Sequence, residues 1–212
     1  MTMKTYVSIL IALVAGLSLN CSREYELERS IFIADSVYTD LPAYTEWGYN
    51  TFGAFFDREI FVSNNAQIPA KVTCTDGNTS FILNGQRGSG YSYYGGYGGY
   101  YYGDGTLSTT FLLEGVQYGN VSDLVTWNDT LIDLTSPDCK VFITEDTTRT
   151  EVEILNGSLH IKRAQYLLVD DKMVEVILSG RFSFQMLYNG EPVSMSDGRF
   201  DVGIDENNFF IY

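Results

Sequence analysis

The chain contains one histidine, His160, so any Ser-His-Asp or Cys-His arrangement would have to use it. Such chemistry needs an imidazole base beside a hydroxyl or thiol, with a carboxylate to orient the ring. His160 falls in an alternating run, Ser158-Leu159-His160-Ile161-Lys162, that reads as a strand. No G-x-S-x-G turn leads into a helix. The expected role of His160 is an exposed or half-buried polar strand position, and no residue is assigned as catalytic. The chain is expected not to be an enzyme; a hydrolase is the third-ranked reading. Metal chemistry has little to build on. The sequence has no C-x-x-C and no H-E-x-x-H, and a single histidine cannot make a zinc site without carboxylates. Asp201, Asp205, Glu206 and Asn207 offer oxygen ligands, as do Asp170 and Asp171, but neither group has EF-hand spacing. Neither a metal nor a cofactor is expected.

The cysteines carry other chemistry. Cys21 follows MTMKTYVSILIALVAGLSLN, in which Lys4 begins a basic n-region and Tyr6 to Leu19 is uncharged and mostly apolar. As a helix that run would span about 21 Å, short of the roughly 30 Å hydrocarbon core. It reads as a signal-peptide h-region rather than a membrane span. The residues before Cys21, Leu17-Ser18-Leu19-Asn20, resemble a lipobox, the site where lipoprotein signal peptidase cuts ahead of an acylated cysteine. The usual pattern has Leu three residues before the cysteine and Gly or Ala just before it, whereas here Asn20 is adjacent. Residues 1–20 are therefore expected to be removed, with Cys21 carrying palmitate-type chains that hold the protein on the membrane. Glu24, Glu26 and Glu28 behind it resemble the acidic signal of surface-exported lipoproteins. The expected location is the outer membrane, facing outward, with the periplasmic face as the alternative. Cys74 and Cys139 remain, either as a disulfide or as two buried thiols. Oxidising surroundings permit a bridge, and one closing this loop would stabilise by about 4 kcal/mol.

Residues 88–105 read GSGYSYYGGYGGYYYGDG. Eight glycines make the backbone too permissive for a regular strand, and the expectation is a long hairpin loop between a strand ending near Gln86 and one starting near Thr106. Tyr91, Tyr93, Tyr94, Tyr97, Tyr100, Tyr101 and Tyr102 form the candidate contact set. Tyrosine combines a flat apolar ring with a hydroxyl at low entropy cost, which suits a sugar ring or a protein surface. The bland alternative is a weakly structured loop that covers one end of the fold.

Positioning these residues falls to strands. The chain has 212 residues, 13 Lys and Arg against 27 Asp and Glu, and a net charge of −14. Such a charge repels phosphate backbones, which argues against nucleic-acid binding. Residues 21–43 read as a lipidated tether and 44–212 as one domain. Within it, 51–62 and 70–83 read as hairpins, the second turning on Asp76-Gly77. Asn156-Gly157 is expected to turn a hairpin between 151–155 and 158–162. Met173 to Leu187 reads as a long strand broken near Gly180, with Phe182, Phe184 and Met186 on one face. Asn189-Gly190 and Asp197-Gly198 read as turns, the latter ahead of a strand with Phe200, Val202 and Ile204 on one face. The expected fold is all-β: an antiparallel β-sandwich, or a small β-barrel as the alternative. A terminal aromatic, Tyr212, also occurs in outer-membrane barrels, but a last sheet strand accounts for it more simply.

Glu46-Trp47-Gly48-Tyr49-Asn50-Thr51-Phe52-Gly53 and Ser196-Asp197-Gly198-Arg199-Phe200-Asp201-Val202 are similar to "NTFG" and "DGRFDV" segments of small uncharacterised lipoproteins of the Bacteroidota. The resemblance covers the two ends of the domain. It implies a β-sandwich lipoprotein without an assigned activity. It also implies O-glycosylation at Asp-Ser/Thr motifs, which Asp35-Ser36-Val37, Asp129-Thr130-Leu131 and Asp146-Thr147-Thr148 match. The expected function is a non-catalytic binding or structural role at the cell surface, with glycan or protein binding through the Tyr-rich loop. The alternative is an accessory subunit of an envelope assembly.

Overall fold

The computed structural model describes residues 30–63, 69–88, 90–94, 97–101, 105–170 and 172–212, with side chains described outside 89–105. Cys21, Tyr102 and Asp171 lie outside the described residues.

The fold is all-β, as expected. The strands are β1 (Thr51–Phe56), β2 (Glu59–Val62), β3 (Ala70–Thr75), β4 (Asn78–Arg87), β5 (Gly90–Tyr94), β6 (Tyr97–Tyr101), β7 (Gly105–Leu113), β8 (Thr130–Asp133), β9 (Cys139–Glu145), β10 (Thr148–Val169), β11 (Lys172–Tyr188), β12 (Glu191–Ile204) and β13 (Phe209–Ile211). A 3-10 helical segment, Val121–Trp127, precedes β8. Among the described residues no helix is long and apolar enough to cross a membrane.

Antiparallel pairings run β2–β1–β12–β11–β10–β9–β7–β4 and return from β4 to β2, so the circuit closes on itself. Strands β3 and β8 attach along the edges of β4 and β10, and β13 pairs in parallel with β3. The turns at Asp57, Asp146 and Asn189 mark one end, here the upper end; those at Asp76 and Asp170 mark the lower end. Asp76-Gly77 and Asn189-Gly190 both have positive φ at each residue, as the tightest hairpins require.

Alternation fills the interior. Phe52, Phe81, Phe111, Phe182, Phe184 and Phe200 are buried and come from strands all round the circuit. Phe81 of β4 lies 5.1 Å from Phe200 of β12, and Phe111 of β7 lies 5.6 Å from Phe182 of β11, between ring centroids. Rings from separate walls thus meet at aromatic contact distance, making a packed core. The expected inward faces of Phe182-Phe184-Met186 and Phe200-Val202-Ile204 are both borne out.

Four local expectations need correction. Asn156-Gly157 does not turn the chain; it lies within the single 22-residue strand β10, where the register against β11 shifts between Ile154 and Asn156. Gly157 is required because a Cβ there would clash with the backbone of Phe184. Asp197-Gly198 is likewise a bulge inside β12, shifting register against both neighbours, and Gly198 leaves room for the ring of Phe182. β11 runs unbroken through Gly180, whose missing Cβ admits the ring of Phe200. The Gly/Tyr segment is not an irregular loop: the backbones of β5 and β6 pair as a hairpin with Tyr91 opposite Tyr100 and Tyr94 opposite Tyr97. Glycines weaken a strand but leave its amides free to pair, and the β4–β7 ladder feeds directly into this hairpin.

Residues 30–43, expected as part of the tether, pack on the domain. From Ser30 the chain lies on the outer face of β1, β12 and β11. Ile31 N donates to Tyr49 O, Ala34 bridges Pro42, and Leu41 is fully buried. Pro42 fills the space beside Gly53. This cover explains why β12 is buried on both faces from Gly198 to Ile204.

Candidate functional site

The Tyr-rich hairpin stands at the upper end on a braced base. Arg87, the last residue of β4, reaches Glu59 at 2.7 Å and Glu145 at 2.6 Å, and covers the Phe56 ring at 5.4 Å. Tyr188 donates to the second oxygen of Glu145 at 2.9 Å. Burial, then Glu145, pushes the Tyr188 phenol upward, so it stays a neutral donor. Exposed ion pairs contribute little singly, but this one joins β2, β4, β9 and β11 beneath the hairpin. Register places positions 91, 93 and 100 on one face of the β5–β6 ribbon and 94, 97 and 101 on the other. The candidate tyrosines of the ribbon are thus divided between two faces rather than gathered on one.

A second constellation, not anticipated from sequence, is centred on Asp201. Its carboxylate is buried and accepts from Thr45 Oγ1 (2.5 Å), Ser179 Oγ (2.8 Å) and the backbone amides of Gly48 (2.9 Å), Trp47 (3.1 Å) and Tyr49 (3.2 Å). The two motifs that resemble lipoprotein segments are cross-strand partners here. Thr51 faces Asp201, Phe52 faces Phe200 and Gly53 faces Arg199. Asn50 adds a hydrogen bond from Gly203 N at 2.9 Å. Arg199, its side chain only 4 % exposed, pairs with Asp35 at 2.7 Å. The amide of Tyr38 above all, helped by Val37 and Arg199, holds the Asp35 carboxyl below its ordinary range. The arrangement fastens residues 30–50 to the sheet.

This fastening presents Trp47 to solvent at 72 % exposure. A cleft of about 450 Å³ beside it is lined by Tyr44, Thr45, Glu46, Arg163 and Gln165. Gln165 donates to Glu46 O, and Tyr44 donates to the Glu46 carboxylate. Nearby, Glu175 is buried against Gly203 and Gly48. Burial first, then Asp205 and Asp201, raises its carboxyl to about 7.

The other candidate residues are dispersed. His160 lies on β10, as expected, and its Nε2 is 3.0 Å from Oδ1 of Asp129, an exposed turn residue. Among the described residues no hydroxyl or thiol hydrogen-bonds to its ring. Cys74 and Cys139 are free and buried, so the bridge considered from sequence is not made. Register explains this: Cys74 faces Thr79, Thr79 faces Leu113, and Leu113 faces Cys139. Three strand steps of about 4.8 Å separate the two cysteines along the sheet, beyond disulfide reach. Burial, and secondarily Asp133, pushes the Cys139 thiol to about 11. The acids considered as oxygen ligands serve local structure. Asp205 accepts from the Asn207 amide and side chain, Asp201 is filled by its five donors, and Asp170 is a turn residue of positive φ. Among the described residues no three His, Cys, Asp or Glu side chains are grouped to hold a metal. Of the glycosylation motifs, Ser36 and Thr147 are exposed and Thr130 is half-buried in β8.

No protein-family model, no curated protein and no solved structure matches this chain.

Proposed function

We propose that this protein is a lipoprotein of the outer membrane, anchored through Cys21, with a non-catalytic binding role carried by the Tyr-rich hairpin. One observation carries this reading. The chain from the anchor joins the domain at Ser30 beside Tyr49, at the lower end, whereas β5–β6 extends β4 and β7 at the upper end. An anchor at one end and an aromatic ribbon at the other is the arrangement expected of a protein that holds its contact surface away from the membrane. Tyrosines on both ribbon faces suit a ligand that wraps or runs along an edge, such as a glycan chain or a partner strand.

The test has two parts. Intact mass on protein from native membranes should give a chain beginning at Cys21 with added acyl mass, and protease applied to whole cells should cleave it. Replacing Tyr91, Tyr93 and Tyr100 by Ala should remove glycan-array binding and leave unfolding unchanged. Array binding that survives the triple replacement would overturn the role of the hairpin. Capture of a stoichiometric envelope protein in its place would favour the accessory-subunit alternative.

A further inference from the structure

The lower end carries an apolar surface that the fold leaves uncovered. Leu168, Val169, Met173 and Val174 flank the β10–β11 turn and are all exposed, as are Ile211 and Tyr212 at the end of β13. The two groups meet across one cleft of about 560 Å³, where Met173, Val174 and Ile211 lie over the buried Val121 and Phe209, and Asn120, Ser122, Asp205, Glu206 and Asn207 make the polar part of the wall. Singly exposed apolar side chains need no explanation, but a contiguous set at one end does.

We propose that this end rests on the lipid bilayer, as a second membrane contact beside the acyl anchor. The inference depends on Cys21 being the lipid attachment site. The occupant follows from chain length. Nine residues, 21–29, separate Cys21 from the start of the domain, a span of at most about 32 Å. They join at Ser30, and the adjacent Ile31 is hydrogen-bonded to Tyr49 just ahead of β1, whose first residue Thr51 faces Asp201 near the lower end of β12. The apolar end is therefore the end the tether holds nearest the bilayer. Tyr212 and Tyr166, whose hydroxyl donates to Ser122 O, have the amphipathic character that suits the headgroup boundary. Charge sets the lipid preference. Asp205 and Glu206 line the cleft within this surface and Asp170 sits at its turn, with Lys172 as the nearby cation, so anionic headgroups are repelled and zwitterionic ones accepted.

The experiment uses the mature protein purified from native membranes and reconstituted on phosphatidylcholine vesicles that contain a photoactivatable phosphatidylcholine. Label is mapped by mass spectrometry. It should concentrate in 168–174 and 209–212, be absent from 90–101, and decline as phosphatidylglycerol is added. The double variant Leu168→Ser, Met173→Ser changes only exposed positions and should lose the label at the tip while keeping its acyl mass. Label spread evenly, label on the Tyr-rich hairpin, or cross-links between copies at the tip would overturn the proposal. Intact mass on the same sample separates the two readings. An acylated protein with an unlabelled tip overturns the membrane contact alone, whereas an unacylated chain overturns the anchor and the contact together.

Discussion

Replacing Glu175 by Gln should stabilise the protein at alkaline pH and leave it unchanged in acid. Glu175 is 8 % exposed, with its carboxyl facing Gly203 and Gly48 and with Asp205 and Asp201 as acidic neighbours. Folding moves its carboxyl from 4.5 to about 7. Below about pH 4.5 the group is protonated in both states and contributes nothing to the difference between them. Between there and pH 7 the folded protein keeps a proton that the unfolded chain has released, so stability falls as pH rises. Above pH 7 the full cost of a buried charge is present. A displacement of this size corresponds to about 3 kcal/mol, taken as an upper bound because water relaxes around the charge. Glutamine keeps the shape and removes the charge. Urea unfolding of both proteins at several pH values between 4 and 8.5 reads the effect as a difference in midpoint at constant m-value. The expected difference grows from zero at pH 4 to between about 1 and 3 kcal/mol at pH 8 in favour of the Glu175→Gln variant. Other carboxylates titrate in both proteins and cancel. A difference that is flat with pH, or a variant less stable than its parent at pH 8, would refute the reasoning.

Three further outcomes follow from the packing. Asp201→Ala strands five donors and should cost about 3–5 kcal/mol, with faster amide hydrogen exchange at 47–49; Asp201→Asn should cost less, and equal exchange rates would contradict the clasp. Gly180→Ala places a methyl group 2.5 Å from the Phe200 ring and should cost more than Gly77→Ala, which meets open space and adds only about 1 kcal/mol of left-handed strain at φ +82°; urea midpoints in the reverse order would be wrong for this core. Cys74 and Cys139 should resist a thiol reagent at pH 8 until urea is added and then react together, whereas a denatured, unreduced chain that takes up no reagent would mean a bridge.

The sequence was most legible where one dipeptide could do one thing. Asp76-Gly77 and Asn189-Gly190 turn hairpins because antiparallel strands pair right up to them and both residues take positive φ. Asn156-Gly157 carries the same local signal and does something else. Whether such a pair turns the chain or bulges a strand is decided by what comes alongside, here the backbone of Phe184 from the next strand, β11. Asp197-Gly198 fails in the same way for the same cause, since Phe182 packs where its Cβ would be. Burial of acids was equally hidden. Asp201 and Glu175 look like any of the chain's many carboxylates until residues 30–49 are laid over them. The signal that could have exposed this cover was Leu41-Pro42, an apolar pair too costly to leave in a solvated tether.

That cover also gives the paired end motifs a mechanical meaning. Thr51-Phe52-Gly53 and Arg199-Phe200-Asp201 face each other across β1 and β12, so the two ends of the domain are joined in the closed circuit of strands. Asp201 then grips the backbone of 47–49, and Arg199 grips Asp35, fixing the entering chain at two points on the same strand. A load applied through the proposed anchor at Cys21 would reach these grips before any core strand. Because both are side chains of β12, the load would pass into the longest ladders of the sheet, β12 with β11 and β11 with β10. The β5–β6 hairpin, which extends β4 and β7 at the far end, lies outside that line.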